Sequence, residues 1–158
     1  MYREVDEVFY KLSREELLSL LIKGEAGGES LLGKLGVLWV VKNRVRKGGW
    51  FYDAMISKTL PDKPEHAVIL KNALVVKPTC KKHVYQFSCF QEGDPNRIKL
   101  LTLANNRQFS LLEMVGGLDR MEDPTRGATH YYADYIPEPY WAAKMINTCK
   151  IGRHFFLR

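Results

Sequence analysis

The sequence predicts a mainly helical α+β domain with a small β element in its last third. Three observations carry that reading. Two apolar segments at helical spacing fill the first third: Leu17, Leu18, Leu20, Leu21 and Ile22 from Arg14 onward, and Leu35, Leu38, Val41 and Val45 from Leu31 onward. A third helical segment is bracketed by Asp94-Pro95 and Gly116-Gly117. Beyond Gly117 the chain turns to Asp123-Pro124-Thr125 turn chemistry and the β-prone His130-Tyr131-Tyr132. At 158 residues, one compact domain spanning 1–158 is expected, with no internal repeat or linker.

Taken in order, residues 3–11 read as a short amphipathic helix with Val5, Val8, Phe9 and Leu12 on one side. Ser13 is its successor's N-cap, and Glu16 three residues on completes a capping box. The helix from Leu31 ends at Lys47-Gly48-Gly49, with basic residues in its last turn. Gly33 and Gly36 lie one turn apart on it, so another element is expected to pack closely there. Trp50 and Phe51 precede a short helix around Ala54, Met55 and Ile56. The spacing of Ala67, Leu70, Ala73 and Leu74 predicts a helix over 65–77, closed by Pro78. Residues 83–90 alternate, as a strand or an extended loop. One helix is then predicted over 96–115, and a terminal strand over 151–156.

The stretch that organises the chain is Gly24-Glu25-Ala26-Gly27-Gly28-Glu29-Ser30, between the two apolar helices. Glycines permit close backbone approach, so the junction can form a narrow floor. A carboxylic acid on such a floor, flanked by apolar helices, is partly desolvated, which favours its protonated form. That suits a general acid. The plainer alternative is a solvated helix-end charge followed by an ordinary glycine cap.

The formal net charge of +6 is spread along the chain, with small clusters at 42–47 and 81–82. A basic surface serves nucleic acid, an anionic membrane or an anionic wall polymer, and does not choose among them. The three cysteines form no C-x-x-C pair and read as reduced thiols, suited to synthesis in a reducing cytoplasm. No 18-residue apolar run exists and the charged N-terminus is unlike a secretory signal, so no stable membrane insertion is expected.

Cleavage of a sugar bond needs a proton donor, a stabilised cationic transition state and a groove for the rings. Glu25 is the donor candidate. Tyr85, Phe87, Tyr131, Tyr132, Tyr135, Tyr140 and Trp141 offer stacking walls, and Gln86, Ser88, Thr125 and Thr129 offer hydrogen bonds. A second carboxylate, as most glycosidases use, would have to be Glu29 or Asp123. Asp123 reads better as a turn residue before Pro124, so a mechanism with one carboxylate stays open. A metal-dependent amidase or peptidase is the enzymatic alternative. The four histidines show no H-x-x-x-H or H-E-x-x-H spacing, so no metal and no cofactor is expected. The non-enzymatic alternative is a basic nucleic-acid-binding domain, but no zinc-finger or RNP signature supports it, and no nucleic-acid partner is expected.

Several segments, in order, resemble the cell-wall hydrolases of the SleB and CwlJ type. They are KGEAGGES at 23–30, then Gly33 with Val40-Val41 and Asn43-Arg44-Val45. Gln86-Phe87-Ser88, Asp123-Pro124-Thr125-x-Gly127-Ala128 with Tyr131-Tyr132, Trp141, and Gly152-x-His154-x-Phe156 follow. The resemblance spans about residues 15–156, and its spacer before Gln86 looks longer than usual. It implies a lysozyme-like, monomeric enzyme acting on bacterial peptidoglycan, a lytic transglycosylase with Glu25 as its catalytic glutamate. It also implies that Glu29, Gln86, Ser88, Thr125, Tyr131 and Tyr132 bind substrate or brace the groove. A phage endolysin made in the host cytoplasm and released by a separate factor fits better than a spore-coat enzyme.

Overall fold

A computed structural model describes residues 7–158. The part of the first expected helix that includes Val5 lies outside the described residues; within them, Glu7–Tyr10 forms α1. Ser13 caps α2, Arg14–Ala26, through the expected box: its hydroxyl accepts from Glu16 N–H, and Glu16 Oε1 accepts from Ser13 N–H. Helix α2 is the centre of the domain. Leu17, Leu18, Leu20, Leu21 and Ile22 are all essentially inaccessible, so the middle of the helix is buried all round. Burial of each is worth roughly 1.5–3 kcal/mol.

Around it pack α3 (Leu31–Lys47), α5 (Pro64–Ile69), α6 (Pro95–Asn105) and α7 (Leu112–Gly116), while α4 (Ala54–Thr59) rests on α5. Two antiparallel sheets complete the domain. β1 (Asn72–Lys77) and β2 (Cys80–Tyr85) form a hairpin, and β3 (His130–Ala133), β4 (Asn147–Ile151) and β5 (His154–Leu157) form a sheet in the order β3-β5-β4.

The three-stranded sheet packs on α3 through a second small core of Val40, Ala128 and Phe156. The expected close approach at Gly36 is real: a Cβ there would stand 2.7 Å from Phe156 Cζ. The terminal strand is shorter than expected. Gly152 and Arg153 make a turn, and the preceding residues form β4, which has no strong alternation to reveal it.

Two expectations are corrected. The helix predicted over 65–77 stops at Ile69. Asn72–Lys77 pairs residue for residue with Cys80–Tyr85 across the Pro78-Thr79 turn. Ala67 and Leu70 are buried as helical spacing demands, but Leu74 is 57% exposed. The spacing after Leu70 was coincidental, and β-branched Val75-Val76 with a complementary strand decide the local structure. The helix predicted over 96–115 is likewise two helices. α6 ends where Arg107 adopts φ 51° and Gln108 N–H bonds the Leu103 carbonyl at 2.8 Å. This is a Schellman-type stop built without glycine, which is why a search for glycine passes over it.

Candidate active site

Glu25 sits in the last turn of α2 and is half-buried. Its Oε1 accepts from the backbone N–H of Cys89 at 3.2 Å, and its Oε2 accepts from the Tyr131 hydroxyl at 2.7 Å. The carboxyl group is thus held by one donor from the turn after β2 and one from β3. Gly24 makes the first contact possible. A Cβ at position 24 would lie 2.6 Å from Cys89 Cβ and 2.8 Å from its sulfur, so any side chain would push this turn off the helix. Burial, reinforced by the negative charge and hydrogen bond of Glu25, raises the pKa of Tyr131 well above the phenol range. The Cys89 thiol is raised for the same reasons, in the same order. Both remain protonated at neutral pH, and Tyr131 is a permanent donor to Glu25.

Glu25 opens into a cleft of about 470 Å³ whose lining also includes Arg44, Trp50, Ser88, His130 and Trp141. Among the described residues it is the only carboxyl-bearing one in that lining. The walls are aromatic. Trp50 packs edge-on against Phe51 and Phe51 edge-on against His130, while His130 lies tilted against Trp141, with ring centroids 5.1–5.6 Å apart. Burial, then the charges of Arg44 and Lys47, lower the His130 pKa to about 4, so its ring is neutral and serves as part of the wall.

Arg44, not expected among the site residues although it belongs to the Asn43-Arg44-Val45 segment, is the buried cation beneath this cleft. Its Nε donates to the Thr129 carbonyl at 2.7 Å and its Nη1 to Gln86 Oε1 at 2.8 Å. The guanidinium lies between the Phe51 and Phe87 rings, 5.0 and 4.9 Å from their centroids. Burial lowers its pKa to about 10, against the opposing pull of Tyr131 and Glu25, and it stays charged at neutral pH. Among the described residues no carboxylate forms an ion pair with it. The sequence signal is its place one turn beyond Val40 and Val41, which puts this one member of the basic last turn on the buried side of α3.

The residues expected to bind substrate divide. Gln86, Ser88 and Tyr131 line the cleft with Glu25. Ser88 Oγ makes no hydrogen bond among the described residues and is exposed, which leaves it available to a ligand. Gln86 is fully engaged by protein: besides accepting from Arg44, its Nε2 donates to the Phe51 and Val68 carbonyls at 2.9 and 3.2 Å. Its work is to hold the base of the hairpin against α3 and α5.

Glu29, Thr125 and Tyr132, expected to bind substrate or brace the groove, lie outside the cleft lining and hold or pack against the fold around it. Glu29 Oε1 accepts from Arg153 N–H at 2.9 Å and stands 3.4 Å from His154 Nδ1. The close fit of Gly152 against its carboxylate adds to this latch, so Glu29 ties the α2–α3 junction to the β4–β5 turn. Burial holds the His154 pKa below its ordinary value, with Glu29, Glu25 and Asp134 opposing. Tyr132 packs against Phe155 and Trp141, at 5.2 and 6.0 Å.

Thr125 is wholly inaccessible. Its hydroxyl donates to Asp123 Oδ1 at 2.6 Å, and Asp123 also accepts from the N–H groups of Thr125 and Gly127 and from Asn43 Nδ2 at 2.8–2.9 Å. Burial opposes ionisation of Asp123, but the bonds from Thr125, Asn43 and Gly127 outweigh it and hold its pKa below the ordinary carboxylate value. Asp123 is therefore the knot of the loop that leads into β3, as its turn reading predicts. Asp123→Ala should cost about 2–4 kcal/mol: one hydrogen bond to a charged group contributes roughly 1.5–3 kcal/mol, and water replaces the carboxylate at the more open donors such as Gly127 N–H. A depressed carboxylate pKa contributes stability above the unfolded value that is lost as pH falls through the folded one. Denaturant titrations should therefore show wild type losing stability below about pH 4, with part of that slope absent from Asp123→Asn.

The histidines do not converge. His66 Nε2 bonds the Leu12 carbonyl at 2.8 Å, His83 Nδ1 bonds Asn72 Oδ1 at 2.5 Å, His130 is in the cleft wall and His154 is beside Glu29. Among the described residues no group of three or more His, Cys, Asp or Glu side chains is arranged to hold a metal ion.

A buried central helix that delivers one glutamate to an aromatic-walled cleft, with a small sheet as the opposite wall, defines a lysozyme-like α+β domain. The chain belongs to the cell wall hydrolase family, whose model, described as Cell Wall Hydrolase, matches residues 28–157. The matched segment includes Glu29 and begins three residues after Glu25. The catalytic domain of the Bacillus cereus SleB protein has a similar fold, with a TM-score of 0.51 at 19% identity over 92% of this chain and 89% of that one. The catalytic domain of the germination-specific lytic transglycosylase SleB from Bacillus anthracis matches with a TM-score of 0.50 and 19% identity, over 99% of this chain and 97% of that one. No curated protein matches the chain.

Proposed function

We propose that this enzyme is a peptidoglycan lytic transglycosylase in which Glu25 acts alone, cleaving between N-acetylmuramic acid and N-acetylglucosamine. The observation that carries the reading is the single carboxyl group that the described residues bring to the cleft lining. Glu29 and Asp123, the two candidates for a partner, are both engaged in bracing the fold. In the first step the Glu25 carboxyl gives its proton to the glycosidic oxygen, and the bond from that oxygen to the muramyl anomeric carbon breaks. In the second, the muramyl C6 hydroxyl attacks the anomeric carbon while Glu25 takes the hydroxyl proton, closing a 1,6-anhydro ring. One group thus serves first as acid and then as base. The Cys89 N–H and Tyr131 hydroxyl remain in place after the first transfer and stabilise the carboxylate between the two steps.

The lytic transglycosylase named for the Bacillus anthracis structure supports this product over simple hydrolysis. The phage-endolysin setting is a further part of the proposal, supported by the net charge of +6, suited to an anionic wall, and by three free cysteines, suited to synthesis in a reducing cytoplasm. The decisive experiment is digestion of purified sacculi followed by mass spectrometry of the soluble fragments. Anhydromuramyl ends are expected, formed equally well after dialysis against a strong chelator. Reducing ends would identify a hydrolytic muramidase or glucosaminidase; free stem peptides whose release zinc restores would identify an amidase. Production inside host cells should leave them intact until their inner membrane is permeabilised, and lysis without that step would count against the endolysin role.

A further inference from the structure

The β1–β2 hairpin is the element that the sequence pattern hid, and it adjoins the Glu25 cleft. From 71 to 85 it carries Lys71, Lys77, Lys81 and Lys82 and no Asp or Glu. In the antiparallel register Ala73 lies opposite Val84, Val75 opposite Lys82, and Lys77 opposite Cys80. Directly paired residues share a side, as do alternate residues along a strand. One face therefore runs from an apolar shelf of Ala73, Val84 and Val75 to the two cations Lys82 and Lys77. The apolar end lines a hollow of about 140 Å³ together with Trp50 and Lys71. Trp50, Tyr85 and Gln86 line both this hollow and the Glu25 cleft, so the two form a continuous surface. Trp50 is 71% exposed, and Lys71 Nζ stands 4.0 Å over its ring.

We propose that this face of the hairpin is a subsite for the stem peptide carried by a muramyl residue in the cleft, which makes the enzyme prefer peptide-bearing glycan to bare glycan. The inference rests on the glycosidase reading above. Its chemistry follows from the order of groups along the ribbon. A ligand that leaves the cleft here meets apolar surface first and fixed positive charge further out. A stem peptide presents small alanyl methyl groups along its length and free carboxylates towards its end. From Ala73 to Lys77 the strand spans about 13 Å at roughly 3.3 Å per residue, the reach of an extended peptide of four residues. A phosphodiester wall polymer matches the lysines but has no counterpart for the apolar shelf.

The test compares two substrates prepared from the same sacculi, one with stems intact and one stripped by an amidase. Wild type should show a KM about tenfold lower for the stem-bearing glycan, the effect of two exposed charge contacts with apolar support. Lys77→Glu combined with Lys82→Glu should remove that advantage while leaving turnover of stripped glycan as it was. The milder pair Lys77→Gln and Lys82→Gln, checked by circular dichroism, should do so in part. Equal KM values in wild type, or a loss of equal size on both substrates, would overturn the subsite. Calorimetric titration of a soluble muramyl tetrapeptide into Glu25→Gln protein separates this question from the chemistry. Binding weakened about tenfold by the Lys→Glu pair supports the subsite even if neither glycan is cleaved, an outcome that would instead reject the glycosidase reading. No binding, or displacement of the peptide by a glycerol-phosphate polymer at equal charge concentration, rejects the subsite.

Discussion

Glu25→Gln is expected to abolish nearly all release of glycan fragments from sacculi, by roughly 10²–10⁴-fold, the usual worth of general acid–base catalysis. The amide keeps the shape of the carboxyl group and can still accept from Cys89 N–H or Tyr131, so circular dichroism and sacculus binding should match wild type. It cannot give or take the proton that both steps require. Glu29→Gln is the informative companion. Glu29 accepts from Arg153 N–H and abuts His154 and Gly152, outside the cleft lining. Its replacement should lower thermal stability and reduce activity only partially. A folded Glu25→Gln enzyme with near wild-type turnover would sink the assignment, and an inactive, well-folded Glu29→Gln beside it would name the replacement.

Arg44→Ala should be the most damaging change outside the reacting group itself. Arg44 is 7% exposed and its guanidinium joins the Thr129 carbonyl to Gln86 Oε1. Truncation leaves both acceptors without their donor, at about 1–3 kcal/mol each, and opens space between Phe51 and Phe87. A loss of about 2–5 kcal/mol follows, read in a protein of this size as a fall in melting temperature of about 5–15 °C. Gln86 and the β3 segment would also lose their common anchor, and kcat should drop along with stability. Arg44→Lys tests whether charge or shape matters. An ammonium group restores the charge but not the planar fork that serves two acceptors at once. It should recover less than half of the lost stability; full recovery would show that charge alone is required.

Tertiary structure sorted the remaining site residues. Ser88 and Tyr131 face the cleft, whereas Thr125 and Tyr132, in equally distinctive segments, face inward or pack on the sheet. A motif identifies residues that a fold needs, without saying whether each touches ligand or holds the residue that does. Asp123 shows the limit in the other direction. Its turn reading was correct because the chemistry is local, with three of its four donors coming from Thr125 and Gly127. Gly24 was noticed as part of a glycine-rich floor, but only the approach of Cys89 from 65 residues further on makes its missing side chain essential.

By itself the sequence determined the helical frame, because the Ser13 capping box, the apolar run of α2 and the glycine stop of α3 act within a few residues of one another. It also determined which glutamate stands at the end of the buried helix. Only the tertiary structure decided where the second half of the chain breaks and pairs. The hairpin at 72–85 competes with a helical spacing of nearly equal regularity, and the Asn147–Ile151 strand owes its form to backbone bonds with β5. Convergence of Arg44, Gln86, Tyr131 and Trp141 on Glu25 likewise depends on contacts between segments up to 106 residues apart. Local propensity is summed over neighbours in sequence, while a cleft is made by neighbours in space.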